Sequence, residues 1–371
     1  MNDSRRIRAC RHRLEDGEAV VLSPGPNLTY LTGFETSPSE RHFLLFVTPG
    51  DEPVVVAPAM YAEQLEGVPA EAELWDDDDD PRDVLEDVCT AVGDPECIYV
   101  DDRMWAQFTQ DLRSVRPDAA YGLASEVLED LRIRKDEAEL EALSRAGELA
   151  DRVSMEVRGR GKEVIGLTEA ELASEIDRLL TEHGGEEPAF ETIVASGPNG
   201  ARPHHHSGDR VIEAGDPVVL DFGASVEADL EAGTARYPGD QTRTVVFAGD
   251  PTAEFRAVHG VVREAQRAAI EAVEPGVTAG EIDRVVRGVI ESAGYGDAFV
   301  HRTGHGVGLE VHEPPYIVPG NDRELEAGMV FSIEPGIYLE DAFGVRIEDL
   351  VVVTEDGAQR LNESPRRWSS Q

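Results

Sequence analysis

Lysine is almost missing from this chain. Only Lys135 and Lys162 occur in 371 residues, and the other 32 of its 34 basic side chains are arginine. Against them stand 75 aspartates and glutamates, for a formal net charge of -41. A surface of that sign repels phosphate backbones and anionic headgroups, which excludes nucleic acid and membranes as partners. Cysteine is also scarce. Cys10, Cys89 and Cys97 form no CxxC pair and no Cys/His metal spacing, so a disulfide scaffold is excluded and a reducing cytoplasm is the expected setting. No apolar run is long enough to span a bilayer, and the N-terminus lacks the apolar stretch of a signal peptide. A Gly-x-Ser-x-Gly elbow is absent too, and no cysteine sits in a nucleophile setting, so neither route to hydrolysis through a covalent intermediate has its usual signature.

What is present is ample for a folded core, with 40% hydrophobic residues. The acidic excess, unbroken over residues 76–80, predicts adaptation to molar salt, which would screen the self-repulsion. An acidic surface kept for solubility is the plainer alternative. Short strands and helices alternate in the first third: a strand at 19–23, a hairpin from 43–47 and 54–57, a helix at 81–92 and a strand at 97–100. This is a small α/β unit, assigned to residues 1–128, and it carries no obvious chemistry. A second domain, residues 129–371, opens on a long amphipathic helix predicted from Arg134 to about Gly161.

The second domain contains a weak internal repeat. AELEAL at 138–143 resembles AEFRAV at 253–258, and GLTEAEL at 166–172 resembles GVTAGEI at 276–282. In both copies a threonine precedes a glutamate by three positions, Thr168 with Glu171 and Thr278 with Glu281, the pattern of a capping box. Helical sequences match one another cheaply, so chance similarity is the competing explanation. Two similar halves would place a site between them.

Function is concentrated in five motifs: LDFG at 220–223, GDQTRT at 239–244, HRTGHGVG at 301–308, SIEPGIY at 332–338 and GVRIED at 344–349. Four of them embed an acid in a strand-like apolar run, where an unpaired charge is costly. The fifth, with its extension to His312, packs His301, His305 and His312 into a glycine-loosened segment. Each residue has a plainer reading alone. Asp221 and Asp240 would suit turns, Glu334 ends a strand before Pro335, and Glu348 has Arg346 nearby to pair with. Together the plainer readings require independent coincidences within one domain. Oxygen-rich ligation with one imidazole suits Mn2+, Co2+, Fe2+ or Zn2+, and two such ions close together ionise a bridging water at neutral pH.

The order Asp221, Asp240, His305, Glu334, Glu348 inside these motifs resembles the pita-bread metallopeptidases, which include methionine aminopeptidase, aminopeptidase P and prolidase. The likeness covers about residues 190–352. NLTYLTGF at 27–34 and LRIRKDE at 131–137 are similar to the N-terminal domain and junction of the Xaa-Pro branch. The resemblance implies an α+β pita-bread (creatinase/aminopeptidase) catalytic domain behind a smaller N-terminal α/β domain. It implies two divalent ions, Mn2+ or Co2+ ahead of Zn2+ or Fe2+, held by Asp221, Asp240, His305, Glu334 and Glu348. It gives His204 a place on the substrate side, His312 a role in steadying the scissile carbonyl, and His301 a further place in the active site. Glu334 would also shuttle the proton, and Tyr338 and Arg346 would line the pocket, with Arg346 supporting substrate or Glu348. His205 and His206 read as a polar surface turn, and His183 as a helix C-cap.

The implied reaction is cleavage of an Xaa-Pro bond at the N-terminus of a small peptide, by a cytoplasmic enzyme that pairs into a homodimer, with prolidase favoured slightly over aminopeptidase P. A methionine aminopeptidase-like exopeptidase is one alternative. A metal-independent creatinase-type hydrolase and a non-catalytic binding module are others. One departure stands out. The two aspartates lie nineteen positions apart, where the family usually has about a dozen. The extra residues, within 225–236, are expected at a hairpin tip, where length is tolerated and the pocket rim could be reshaped. Asp240 keeps its Thr-Arg-Thr context and is preferred to Asp229 as the ligand.

Overall fold

The computed structural model describes residues 4–370 of the protein. The chain divides into two compact units, Met1–Arg132 with Asp229–Ala235, and Ile133–Ala228 with Arg236–Gln371.

The first unit is built on a six-stranded sheet in the order β4-β3-β2-β1-β5-β6. Its strands are β1 (Glu18–Leu22), β2 (Leu44–Val47), β3 (Val54–Pro58), β4 (Glu71–Trp75), β5 (Cys97–Val100) and β6 (Ala120–Leu123). The expected hairpin is present, with β2 and β3 antiparallel and Leu44 opposite Val56. β1 and β2 are buried almost throughout, as expected of central strands covered on both faces. Five helices accompany the sheet: α1 (Arg5–Arg11), α2 (Pro26–Thr32), α3 (Pro81–Ala91), α4 (Ala106–Val115) and α5 (Ser125–Arg132). α3 starts where Asp80 accepts the Arg82 N–H and Pro81 fills the first turn. Its Leu85, Val88 and Cys89 then join Val21, Ile98 and Phe108 in one core.

The second unit opens with α6 (Glu137–Gly159) and α7 (Glu169–Glu182), and later repeats the pairing with α8 (Ala253–Ala272) and α9 (Ala279–Ser292). α6 starts later than its periodicity suggests. Arg134 bridges Met329 and the Lys135 N–H bonds Gly328, so both are extended, and Asp136 then forms a capping box with Glu139. The internal repeat is structural. Both predicted capping boxes form, at Thr168 and Thr278. The backbone repeats as well: Gly166 and Gly276 donate to Ile212 and Leu325, and Glu169 and Ala279 donate to Arg210 and Arg323.

The strands between and after the helices carry the functional motifs. β7 (Glu187–Pro188) pairs with β10 (Ala224–Leu230), which forms a hairpin with β11 (Gly233–Pro238). That hairpin holds the extra residues, and its tip, Asp229–Ala235, belongs to the first unit, where Glu231 accepts the Arg5 N–H at 2.9 Å. A second sheet orders β12 (Gln241–Val245), β9 (Val218–Phe222) and β8 (Ile193–Ser196). A third combines β13 (Gly304–Gly306), β14 (Glu313–Ile317), β15 (Val330–Ile333), β18 (Asp349–Thr354) and β19 (Gly357–Arg360) in the order β14-β13-β15-β18-β19, while β16 (Gly336–Leu339) and β17 (Phe343–Arg346) form a separate ribbon. Among the described residues no helix is long and apolar enough to cross a membrane.

Candidate metal centre and active site

Three of the predicted ligands converge. Asp240, His305 and Glu348 are all buried, and each offers a ligand atom within 4.8 Å of the others. Asp221 and Glu334 line the same cavity of about 600 Å3, together with His204, His301, His312 and Arg346. Local structure explains the convergence. Asp221 lies on β9 directly opposite Thr242 of β12, and Asp240 immediately precedes β12. Glu348 joins the same edge through its N–H, which donates to the Thr242 carbonyl at 3.0 Å. His305 sits between Gly304 and Gly306 on β13. A Cβ at Gly304 would lie 1.9 Å from the Ser332 carbonyl oxygen, and one at Gly306 would lie 2.2 Å from that of Pro314. Only glycine permits this approach, which sets His305 Nε2 3.3 Å from Glu334 and 3.8 Å from Asp240.

The electrostatics are those of a cation site. Burial first, then repulsion from Asp221 and Glu334, lifts Asp240 well above the usual carboxylate range. Glu348 is raised in the same way, by burial and then by Asp240 and Glu334. Burial pushes Glu334 up to about 7, although Arg346 opposes it. His305 moves the other way: burial, reinforced by His312, keeps its imidazole neutral. With Nδ1 against the Gly306 carbonyl at 3.2 Å, its Nε2 lone pair faces the carboxylates. Asp221 Oδ1 is buried and has no hydrogen-bond partner among the described residues. An orphaned carboxylate oxygen, crowded acids and a neutral imidazole turned inwards together fit divalent cations. The donor set also separates this chain from a fold that has lost its ligands.

Arg346 organises the other side. It donates to Asp221 Oδ2, to Thr242 Oγ1 at 3.0 Å and to the Tyr338 hydroxyl at 2.9 Å. Its contact is therefore with Asp221, and Thr242 Oγ1 supports Glu348 instead, donating to Oε2 at 2.6 Å. Tyr338 stands behind the cavity wall, with its hydroxyl 2.9 Å from His301 Nε2. Burial raises that phenol to about 12 and lowers His301 to about 4, so the hydroxyl donates to a neutral ring. The His301 Nδ1–H in turn donates to the Arg302 carbonyl at 2.7 Å. His312 is exposed and meets His305 edge to face, with ring centroids 4.1 Å apart.

Three further histidines, His204, His205 and His206, line the cavity; His204 is exposed there, and His206, also exposed, pairs with Glu191. His205 departs from the surface-turn expectation: its side chain is 12% exposed and donates to the fully buried Glu169 at 2.8 Å. His183 is the C-cap of α7, as expected. Residues 225–236 are not among the residues that line the cavity. Sequence reasoning passed over Thr242 and Arg302. Strand alternation puts the first on the same face as Asp240 and Thr244, but its place opposite Asp221 is set by cross-strand register, which no local pattern fixes. Arg302, whose guanidinium lies over the Tyr316 ring at 5.0 Å from its centroid, lines the cavity beside His301.

Comparison with known proteins agrees with this geometry. Residues 6–134 match the creatinase/prolidase N-terminal domain, and residues 141–355 match metallopeptidase family M24. The chain is 42% identical over 354 residues to the probable dipeptidase PepE of Mycobacterium tuberculosis, covering 93% of this chain and 90% of that one. It is 38% identical to the Xaa-Pro dipeptidase of Lactobacillus delbrueckii subsp. lactis, covering 92% of each chain. The crystal structure of prolidase from Thermococcus sibiricus superposes with a TM-score of 0.89 at 37% identity, covering 100% of this chain and 99% of that one. The pita-bread fold with its smaller N-terminal domain is thereby borne out, and the chain belongs to metallopeptidase family M24.

Proposed function

We propose that the protein is a metal-dependent Xaa-Pro dipeptidase. The observation that carries this reading is the convergence of Asp240, His305 and Glu348 within 4.8 Å in a cavity also lined by Asp221 and Glu334. Relatives named as dipeptidases and Xaa-Pro dipeptidases support the substrate class. The five residues would hold two divalent ions, which when bound would polarise the scissile carbonyl and activate the attacking water.

The chain's own groups do the rest. Glu334, beside the ligand cluster, takes the proton of the water and delivers it to the leaving proline nitrogen. His312 donates to the oxygen that becomes negative as the carbonyl turns tetrahedral. His204, at the cavity, meets the substrate. Phe190, Ile193, Pro203 and Val311 supply an apolar wall against which a proline ring packs. Arg302 offers a cation in the same cavity, which suits the free carboxylate of a dipeptide better than a continuing chain. Residues 129–371 would carry this chemistry, because the lining runs from Phe190 to Glu348. Manganese or cobalt as the native ion, a cytoplasmic setting, pairing into a homodimer and adaptation to molar salt complete the reading; one imidazole among carboxylates supports the metal, and the charge of -41 supports the salt.

Hydrolysis of Ala-Pro, Ala-Pro-Ala and Met-Ala-Ser with Mn2+ or Co2+, against an EDTA control, tests it. EDTA-sensitive cleavage of Ala-Pro alone is expected. Cleavage of Ala-Pro-Ala would make the enzyme an aminopeptidase, and cleavage of Met-Ala-Ser alone would overturn the proline specificity.

A further inference from the structure

Glu169 is fully buried, and the metal chemistry makes no use of it. It stands in the first turn of α7, but it is not the cap: Thr168 and Glu171 close the capping box without it. The second half of the domain repeats the same backbone bond with Ala279 in its place. The fold therefore does not require an acid here, and an ionised carboxylate in a core is costly unless something uses it.

Its partners indicate the use. The carboxylate accepts the Ser196 N–H at 2.7 Å, the Ser196 hydroxyl at 2.8 Å and the Asn199 amide at 3.1 Å. It also accepts His205 Nε2–H at 2.8 Å and the Gly208 N–H at 3.3 Å. Burial would raise its pKa, but these bonds outweigh burial and hold it below the usual range. The partners bracket a single segment. Asn199 precedes the loop, Gly208 follows it, and His205 anchors its middle, next to His204 at the cavity. A second anchor grips the loop from the metal side, where Arg346 Nη1 donates to the Pro203 carbonyl at 3.4 Å.

We propose that Glu169 is a positioning residue: through His205 it fixes the 202–207 loop and so holds His204 against the substrate. The proposal rests on the reading that His204 meets the substrate. His205 is then the clamp of the loop, and the polar anchor is a specialisation of one half of a duplicated domain.

Steady-state hydrolysis of Ala-Pro by the metal-loaded, full-length protein tests this with Glu169→Ala, His205→Ala, His205→Gln and His204→Ala. Glu169→Ala and His205→Ala should raise KM about tenfold, the equivalent of one lost well-placed hydrogen bond, with kcat within about twofold and bound metal unchanged. His205→Gln, which keeps an amide donor, should restore most of the loss. A purely structural role would lower the melting temperature or the metal content without splitting KM from kcat. Normal KM in a folded Glu169→Ala would overturn the proposal, and if that variant does not fold, normal KM in His205→Ala would do so. Normal KM in His204→Ala would instead remove the reading on which it rests.

Discussion

The crowded carboxylates make a sharp prediction about the metal-free protein, because removing one of them should stabilise it. Glu334 is mostly buried, its side chain 14% exposed beside Asp221 and the other acids, and its pKa rises from 4.5 to about 7. In the unfolded chain it keeps the ordinary value of 4.5. A carboxyl whose folded value is raised binds its proton more tightly in the native state. Its contribution is therefore intact below about pH 4 and is lost as pH climbs through the window from about 4 to about 7. A shift of that size corresponds to about 3 kcal/mol. At roughly 2–4 °C per kcal/mol for a unit of this size, that is about 6–12 °C in melting temperature. Glu334→Gln keeps the shape and abolishes the titration. After chelation, scanning calorimetry of wild type and Glu334→Gln should give similar melting temperatures near pH 4 and a higher one for the variant at pH 8. Added Mn2+ should reverse the order at pH 8, since wild type alone offers the full set of anionic ligands. A metal-free Glu334→Gln that melts below wild type at pH 8, or a difference that does not change with pH, would refute the reasoning.

Two further expectations concern the ligand assignment and the surface. Asp240→Asn should lose bound metal and activity, whereas Asp229→Asn, exposed in the hairpin tip, should keep both; elemental analysis of the purified proteins decides between them. The melting temperature of wild type should rise steadily from low to multimolar KCl, because the charge of -41 repels itself in dilute salt, and a midpoint indifferent to KCl would remove salt adaptation.

The candidate ligands were legible in sequence because a charge inside an apolar strand is expensive. Val218–Phe222 is buried throughout, and Asp221 stands out in it as a cost that needs a reason. His305 was legible for a related reason, since its flanking glycines predict a close approach. Thr242, Arg302 and Glu169 were not legible, because threonine, arginine and glutamate are ordinary in strands, loops and first helical turns. Thr242 matters because β9 sets it opposite Asp221, and no local pattern fixes cross-strand register. His205 looked like a surface residue because its partner comes from a helix far upstream. α6 starts after Arg134 and Lys135, which fit the helical spacing but spend their backbone on extended pairing. Periodicity reports side chains, and long-range backbone bonds are invisible to it.

Charge balance at the centre supports two ions rather than one. Asp221, Asp240, Glu334 and Glu348 would carry four negative charges when ionised, His305 is held neutral, and Arg346 returns one positive charge through Asp221. One divalent ion would leave this buried cluster net negative, which would disfavour both the attacking water's ionisation and the anionic carbonyl oxygen that forms next. Two would leave it slightly positive, the sign that stabilises both. The same sum gives Arg346 a purpose beyond lining. By bonding Asp221, Thr242 and Tyr338 together, it fixes a carboxylate whose other, buried oxygen accepts no hydrogen bond among the described residues, and so would leave that oxygen to a cation.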